Sequence, residues 1–77
     1  LQAQRLAPQA AETFMYLALV ANQKGQYSSA ESLARRGLSY AQSAPMKKQL
    51  WQAILVAGQK QNHAQIVQQA QQALNSL

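Results

Sequence analysis

Cysteine and aspartate are both absent from this 77-residue chain. Without thiols there is neither a disulfide nor a thiolate metal site. One histidine and two glutamates are too few to build the three- or four-ligand set that zinc takes. Glu12 and Glu31 lie nineteen positions apart, on segments read below as different helices, so a carboxylate pair for acid–base chemistry is not expected. A Gly-rich phosphate loop and a nucleophile elbow are also missing. A chain this short buries only about 60–65% of the surface it exposes when unfolded, which leaves little room for a deep catalytic pocket. The longest apolar run, residues 14–21, is eight residues, against the ~20 that a membrane span needs. The expectation is therefore no enzyme, no cofactor, no metal and no membrane span.

Valine, isoleucine, threonine and aromatic residues are too sparse for a sheet protein. In their place stand fifteen alanines and fifteen glutamines, both good helix formers. The composition reads as all-α. Seven Lys/Arg against two Glu give a net charge of +5, a sign that suits nucleic acid, an anionic membrane surface, an acidic partner or simply solubility.

The chain is organised around residues 11–37, AETFMYLALVANQKGQYSSAESLARRG. A first full helix is expected from about Pro8 to Lys24. Its inner stripe is Phe14, Leu17, Ala18 and Ala21, with Met15, Leu19 and Asn22 beside it. Pro8 suits a first helical turn, so residues 1–7 read as the tail of a preceding helix. Gly25 is placed to end the first helix in the left-handed conformation. Ser28 and Glu31 have capping-box spacing for a second helix that runs to about Gln42. Its inner face is Ala30, Leu33, Ala34, Gly37, Leu38 and Ala41, while Ser32, Arg35, Arg36 and Ser39 face away. Ser43, Ala44 and Pro45 mark the next boundary. A third helix follows to Lys60, with Leu50, Ala53, Ile54 and Ala57 inside and Trp51 and Leu55 alongside. Asn62 is then placed to cap a fourth helix that uses Ile66, Val67, Ala70, Ala73 and Leu74. Its Gln-rich outer face, QIVQQAQQ, suits a terminal capping element.

An offset of 36 superposes the halves. Phe14 meets Leu50, Ala21 meets Ala57, Tyr27 meets His63, Ala30 meets Ile66, Ala34 meets Ala70 and Leu38 meets Leu74. A period of this size is the mark of helical repeats. Phe14, Leu17 and Ala18, the turn Gly25 and Tyr27, Ala30, then Gly37 and Leu38 follow in the order of the tetratricopeptide repeat family, which the chain resembles. The second half departs from that pattern at Gln61, Ile66 and the Ala53–Ile54 order. The resemblance implies antiparallel helix-turn-helix repeats stacked as a short right-handed superhelix, a TPR-like α-solenoid. Residues 1–7 would close an earlier repeat, 8–44 form one repeat and 45–77 a divergent repeat or capping hairpin.

The resemblance also implies that the first helix of each repeat lines a concave face that holds another polypeptide. Met15, Leu19, Asn22, Lys48, Trp51 and Leu55 map there and are the candidate partner-binding residues. Exposed apolar patches and tryptophan both favour binding surfaces. The competing reading packs Trp51 against Met15 as ordinary inter-repeat core. Met15 and Leu19 stand where chaperone-binding members of that family clamp a C-terminal carboxylate with Lys and Asn, which disfavours a chaperone-tail adaptor. The partner is expected to be a protein or peptide segment, or a second copy of the chain. The alternatives are a nucleic-acid-binding helical repeat, which resembles the pentatricopeptide type and works through Arg35, Arg36, Lys47 and Lys48, and a structural or dimerisation segment. His63 reads as a packed turn residue rather than a ligand or base.

Overall fold

Two three-residue turns of the same construction set the fold. The computed structural model describes residues 2–77, with side chains from Ala10 onward. Among the described residues there are four helices and no strand: α1 (Gln2–Gln23), α2 (Tyr27–Tyr40), α3 (Ala44–Lys60) and α4 (Ala64–Ser76). At the end of α1 the Gly25 N–H donates to Asn22 O (3.1 Å) and the Gln26 N–H to Ala21 O (2.9 Å). At the end of α3 the Asn62 N–H donates to Gln59 O (3.1 Å) and the His63 N–H to Gly58 O (2.9 Å). This pair of bonds is the Schellman arrangement, and it needs a left-handed residue just past the helix. Gly25 (φ +81°) and Asn62 (φ +56°) supply it.

Asn62 therefore terminates α3 instead of capping α4, and it, not Gln61, is the counterpart of Gly25. His63 takes the cap position of α4 without a side-chain hydrogen bond. The turns are 37 residues apart. The buried positions Ala18, Ala21, Ala30 and Ala34 still answer to Ile54, Ala57, Ile66 and Ala70 at 36. Gly25 has open space around it, so alanine there meets only the backbone cost of a left-handed residue, about 1–2 kcal/mol. Gly25→Ala should lower the urea midpoint accordingly. Asn62→Gly should leave stability unchanged or raise it by up to about 1 kcal/mol. A stabilised Gly25→Ala variant would contradict the turn geometry.

Other boundaries differ from expectation. The backbone of α1 runs on through Pro8, where a break was expected, although proline brings no N–H to the helix. The expected close of an earlier repeat at residues 1–7 concerns Leu1 and side chains outside the described residues. The capping box does not form. Ser28 lies inside α2, whose cap position is Gln26 with no side-chain bond, and Glu31 Oε2 instead accepts from Arg35 Nε at 2.7 Å. An arginine four residues on offers Glu31 a charge-assisted bond, stronger than a neutral backbone N–H can give. Ser43 does cap α3, accepting from the Met46 N–H at 3.4 Å, with Pro45 in the first turn.

α1 packs along α2 and α3 along α4; α3 also packs on both α1 and α2. The core they enclose is built mainly of alanine: Ala11, Ala18, Ala21, Ala30, Ala34, Ala53, Ala57 and Ala70, with Leu50, Ile54 and Ile66 as the large buried residues. Small side chains bring the helix axes close, which is how a short chain encloses any core at all. Glycine takes this furthest. A Cβ on Gly58 would stand 2.8 Å from Ile66 Cγ2. The glycine in α3 and the isoleucine in α4 thus exchange the small and large roles at their contact.

Candidate functional site

Where α1 and α3 run side by side they leave an open groove. Met15, Leu19, Asn22 and Gln23 line it from α1, and Gln49, Gln52, Ala53 and Val56 from α3, around a hollow of about 520 Å³. Both sets are helical stripes, at i, i+4, i+7, i+8 and at i, i+3, i+4, i+7. Leu19 (46% exposed) and Val56 (39%) are large apolar side chains left in water here. Among the described residues no charged side chain lines the groove. Asn22 ties the two helices together, donating from Nδ2 to Ala53 O at 3.2 Å. Its Oδ1 is buried and accepts no hydrogen bond.

Of the six residues expected on this face, Met15, Leu19 and Asn22 line the groove. Lys48, Trp51 and Leu55 do not. Trp51 and Leu55 are half-buried and pack against the main core, and the Arg35 guanidinium lies over the indole at 5.9 Å from its centroid. Trp51 is not among the residues that line the groove with Met15, and both side chains pack against the same core cluster. The exposed Lys48 borders a separate hollow with Ala44, Pro45, Leu74 and Leu77. The reason is geometric. Trp51 and Leu55 lie on the part of α3 that packs on the main core, not on the edge that lines the groove beside α1. What lines the groove opposite Met15 and Leu19 is another edge of α3, about 100–160° around the helix from Trp51 at 3.6 residues per turn, where Gln49, Gln52 and Val56 stand. That stripe has full helical spacing in the sequence, but it is mostly polar, and a search for apolar periodicity passes over it.

No family model, no curated protein and no solved structure matches the chain. The site's chemistry therefore stands on its own geometry.

A larger hollow, about 670 Å³, opens between α2 and α4 and is lined by Ser28, Glu31, Arg35, Gln61, His63, Gln65, Ile66 and Gln69. Its principal charges are already engaged. Arg35 donates from Nε to Glu31 and from Nη2 to Gln69 Oε1. Arg35 therefore bridges α2 to α4 and does not face away as its sequence position suggested. Among the described residues no group of three or more His, Cys, Asp or Glu side chains is placed to hold a metal ion, and no helix is long and apolar enough to cross a membrane.

Proposed function

We propose that this chain is a protein-interaction module of the tetratricopeptide type, two hairpins of a helical repeat array, and that it holds a polypeptide segment in the groove between α1 and α3. One observation carries the reading: an open groove with an apolar stripe, free of charge, between the first helices of two hairpins that end in the same turn. Such grooves suit peptide segments. Met15, Leu19, Asn22, Gln23, Gln49, Gln52 and Val56 form the contact surface.

The array reading draws further support from the outer side of α1. Tyr16, Leu17 and Val20 precede Gln52, Ala53 and Val56 by 36 residues, and the latter three are what α1 packs beside. Tyr16 is 66% exposed and Leu17 40%. The apolar strip they make is where a preceding hairpin would stack. The nucleic-acid alternative has less to stand on, since Arg35 is committed to Glu31 and Gln69, and Arg36 lies over the Phe14 ring.

The test is selection of ligands from a random-peptide display library on the intact chain, followed by titration against wild type and Leu19→Glu. Leu19 is surface-exposed, so the variant should keep its helical circular dichroism. A charge in the groove should weaken binding at least about tenfold, the loss expected of a binding hot spot. Equal affinity for both proteins, or binding that collapses with salt and with removal of Lys47 and Lys48, would overturn the proposal.

A further inference from the structure

The contact that joins the two hairpins leaves a matching half at each end of the molecule. α3 packs on both α1 and α2. It sets the edge of Gln49, Gln52, Ala53 and Val56 beside α1, next to Met15 and Leu19. Leu38 and Ala41, at the end of α2, pack against the core cluster to which α3 gives Leu50, Ala53 and Ile54. The 36-residue offset carries each side of this contact to one end. Shifted back, the α3 edge becomes Thr13, Tyr16, Leu17 and Val20 on α1, where Tyr16 and Leu17 lie exposed. Shifted forward, Leu19, Leu38 and Ala41 become Leu55, Leu74 and Leu77, along the seam between α3 and α4. That seam opens into a hollow of about 300 Å³ beside Lys48, Leu74 and Leu77 and another of about 440 Å³ beside Gln59 and Val67. Lys48, Leu55 and Gln59 share one stripe of α3, at i, i+7, i+11, and Val67 and Leu74 share one of α4.

We infer that a second copy of this chain covers the strip: Tyr16, Leu17 and Val20 of one molecule sit in the α3–α4 seam of the next, against Leu55, Leu74 and Leu77. The inference rests on the repeat-array reading and is independent of the peptide groove. Continuity of the interface names the occupant. The same stacking, between residues at the same offset, already holds the two hairpins together. Composition points the same way. The edge that α3 sets against α1 is half glutamine, whereas its exposed counterpart carries Tyr16, Leu17 and Val20 with only the Thr13 hydroxyl among them. A strip in water that is more apolar than the paired edge it matches is the kind of surface that association covers. The two surfaces that meet are different, so the contact is heterologous. Each added copy brings a fresh strip or a fresh seam, and growth is open-ended instead of closing at a dimer. The net charge of +5 on every copy opposes growth, and salt screens that repulsion.

The experiment is sedimentation equilibrium on the intact chain. The weight-average mass should climb with concentration past that of a dimer, and more steeply as salt is added. Two variants then block one surface each, Tyr16→Arg the strip and Leu55→Glu the seam. Either alone should self-associate at least about tenfold more weakly than wild type, the loss expected of a buried contact residue. Mixed in equal amounts they should form a dimer and stop, because the intact seam of the first accepts the intact strip of the second. Circular dichroism checks that each variant keeps its helices. Leu77→Glu, on the surface, takes the place of Leu55→Glu if the latter unfolds. A wild-type chain that stays monomeric, one that stops at a dimer, or a mixture that associates no better than its components would overturn the inference and leave the strip to a different polypeptide. Peptide binding that depends on Leu19 would survive each of those results.

Discussion

Replacing Leu50 with alanine is expected to cost about 3–5 kcal/mol, and Ile54→Ala about as much. Among the described residues these are the only large side chains buried completely. Around them stand Ala18, Ala34, Ala53 and Ala70, which have no rotamers with which to move into a void. A cavity at either site closes only as far as the flanking side chains, such as Met15, Leu33 and Met46, or whole helices can shift, and α3, which carries both residues, touches all the other helices. A chain of this size has about 4–12 kcal/mol of total stability, so either truncation removes a large fraction of it. The thermal midpoint should fall by about 15 °C or more, at roughly 4–8 °C per kcal/mol for a domain of this length. Leu17→Ala is the control; its side chain is 40% exposed and should cost no more than about 1 kcal/mol. Near-equal effects at positions 17 and 50 would mean that the helices do not enclose the core described above.

The four helices and their approximate limits, the start of α1 excepted, were legible because each follows from a local rule. Alanine spacing marked the inner faces, Gly25 marked the end of α1, and Ser43 with Pro45 marked the start of α3. The failures lie where two local rules competed. Ser28 and Glu31 have the spacing of a cap, but Glu31 also sits four residues before Arg35, and the charged pair prevailed. Asn62 can serve either as a helix cap or as a left-handed terminator, and the sequence alone does not choose. The backbone hydrogen bonds from Asn62 and His63 show that it terminates α3.

Half of the groove could be read from the sequence and half could not. Met15, Leu19 and Asn22 follow from the pattern of α1 alone. Their opposite wall depends on how α3 rotates against α1, which is a property of packing and not of any one segment. Trp51 drew attention as the lone indole, yet a large ring beside an alanine core is more useful as cover for that core, here under the guanidinium of Arg35. The glutamines that face the groove have no signature in composition, since glutamine is spread along the whole chain.

Gly37 is a position where one added carbon should do harm. It lies buried in α2, and a Cβ there would stand 2.8 Å and 3.3 Å from the two Leu50 methyls and 3.1 Å from Phe14 Cβ. Alanine in a helix interior normally gains about 1 kcal/mol over glycine. Overpacking a filled core costs about 1–3 kcal/mol, so Gly37→Ala should come out net destabilising, by up to about 2 kcal/mol. Gly37→Val adds two further methyl groups to the same space and should cost about 4 kcal/mol or more, enough to unfold much of the population at 37 °C. The clash has a named partner, which makes it separable from a general effect on helix α2. In a Leu50→Ala background both leucine contacts vanish and only the Phe14 contact remains. There Gly37→Ala should be neutral or stabilising, giving an interaction energy of about 1–2 kcal/mol between the two positions in chemical denaturation. If Gly37→Ala costs the same in both backgrounds, the approach of α2 to α3 at this point is looser than the 2.8 Å separation requires.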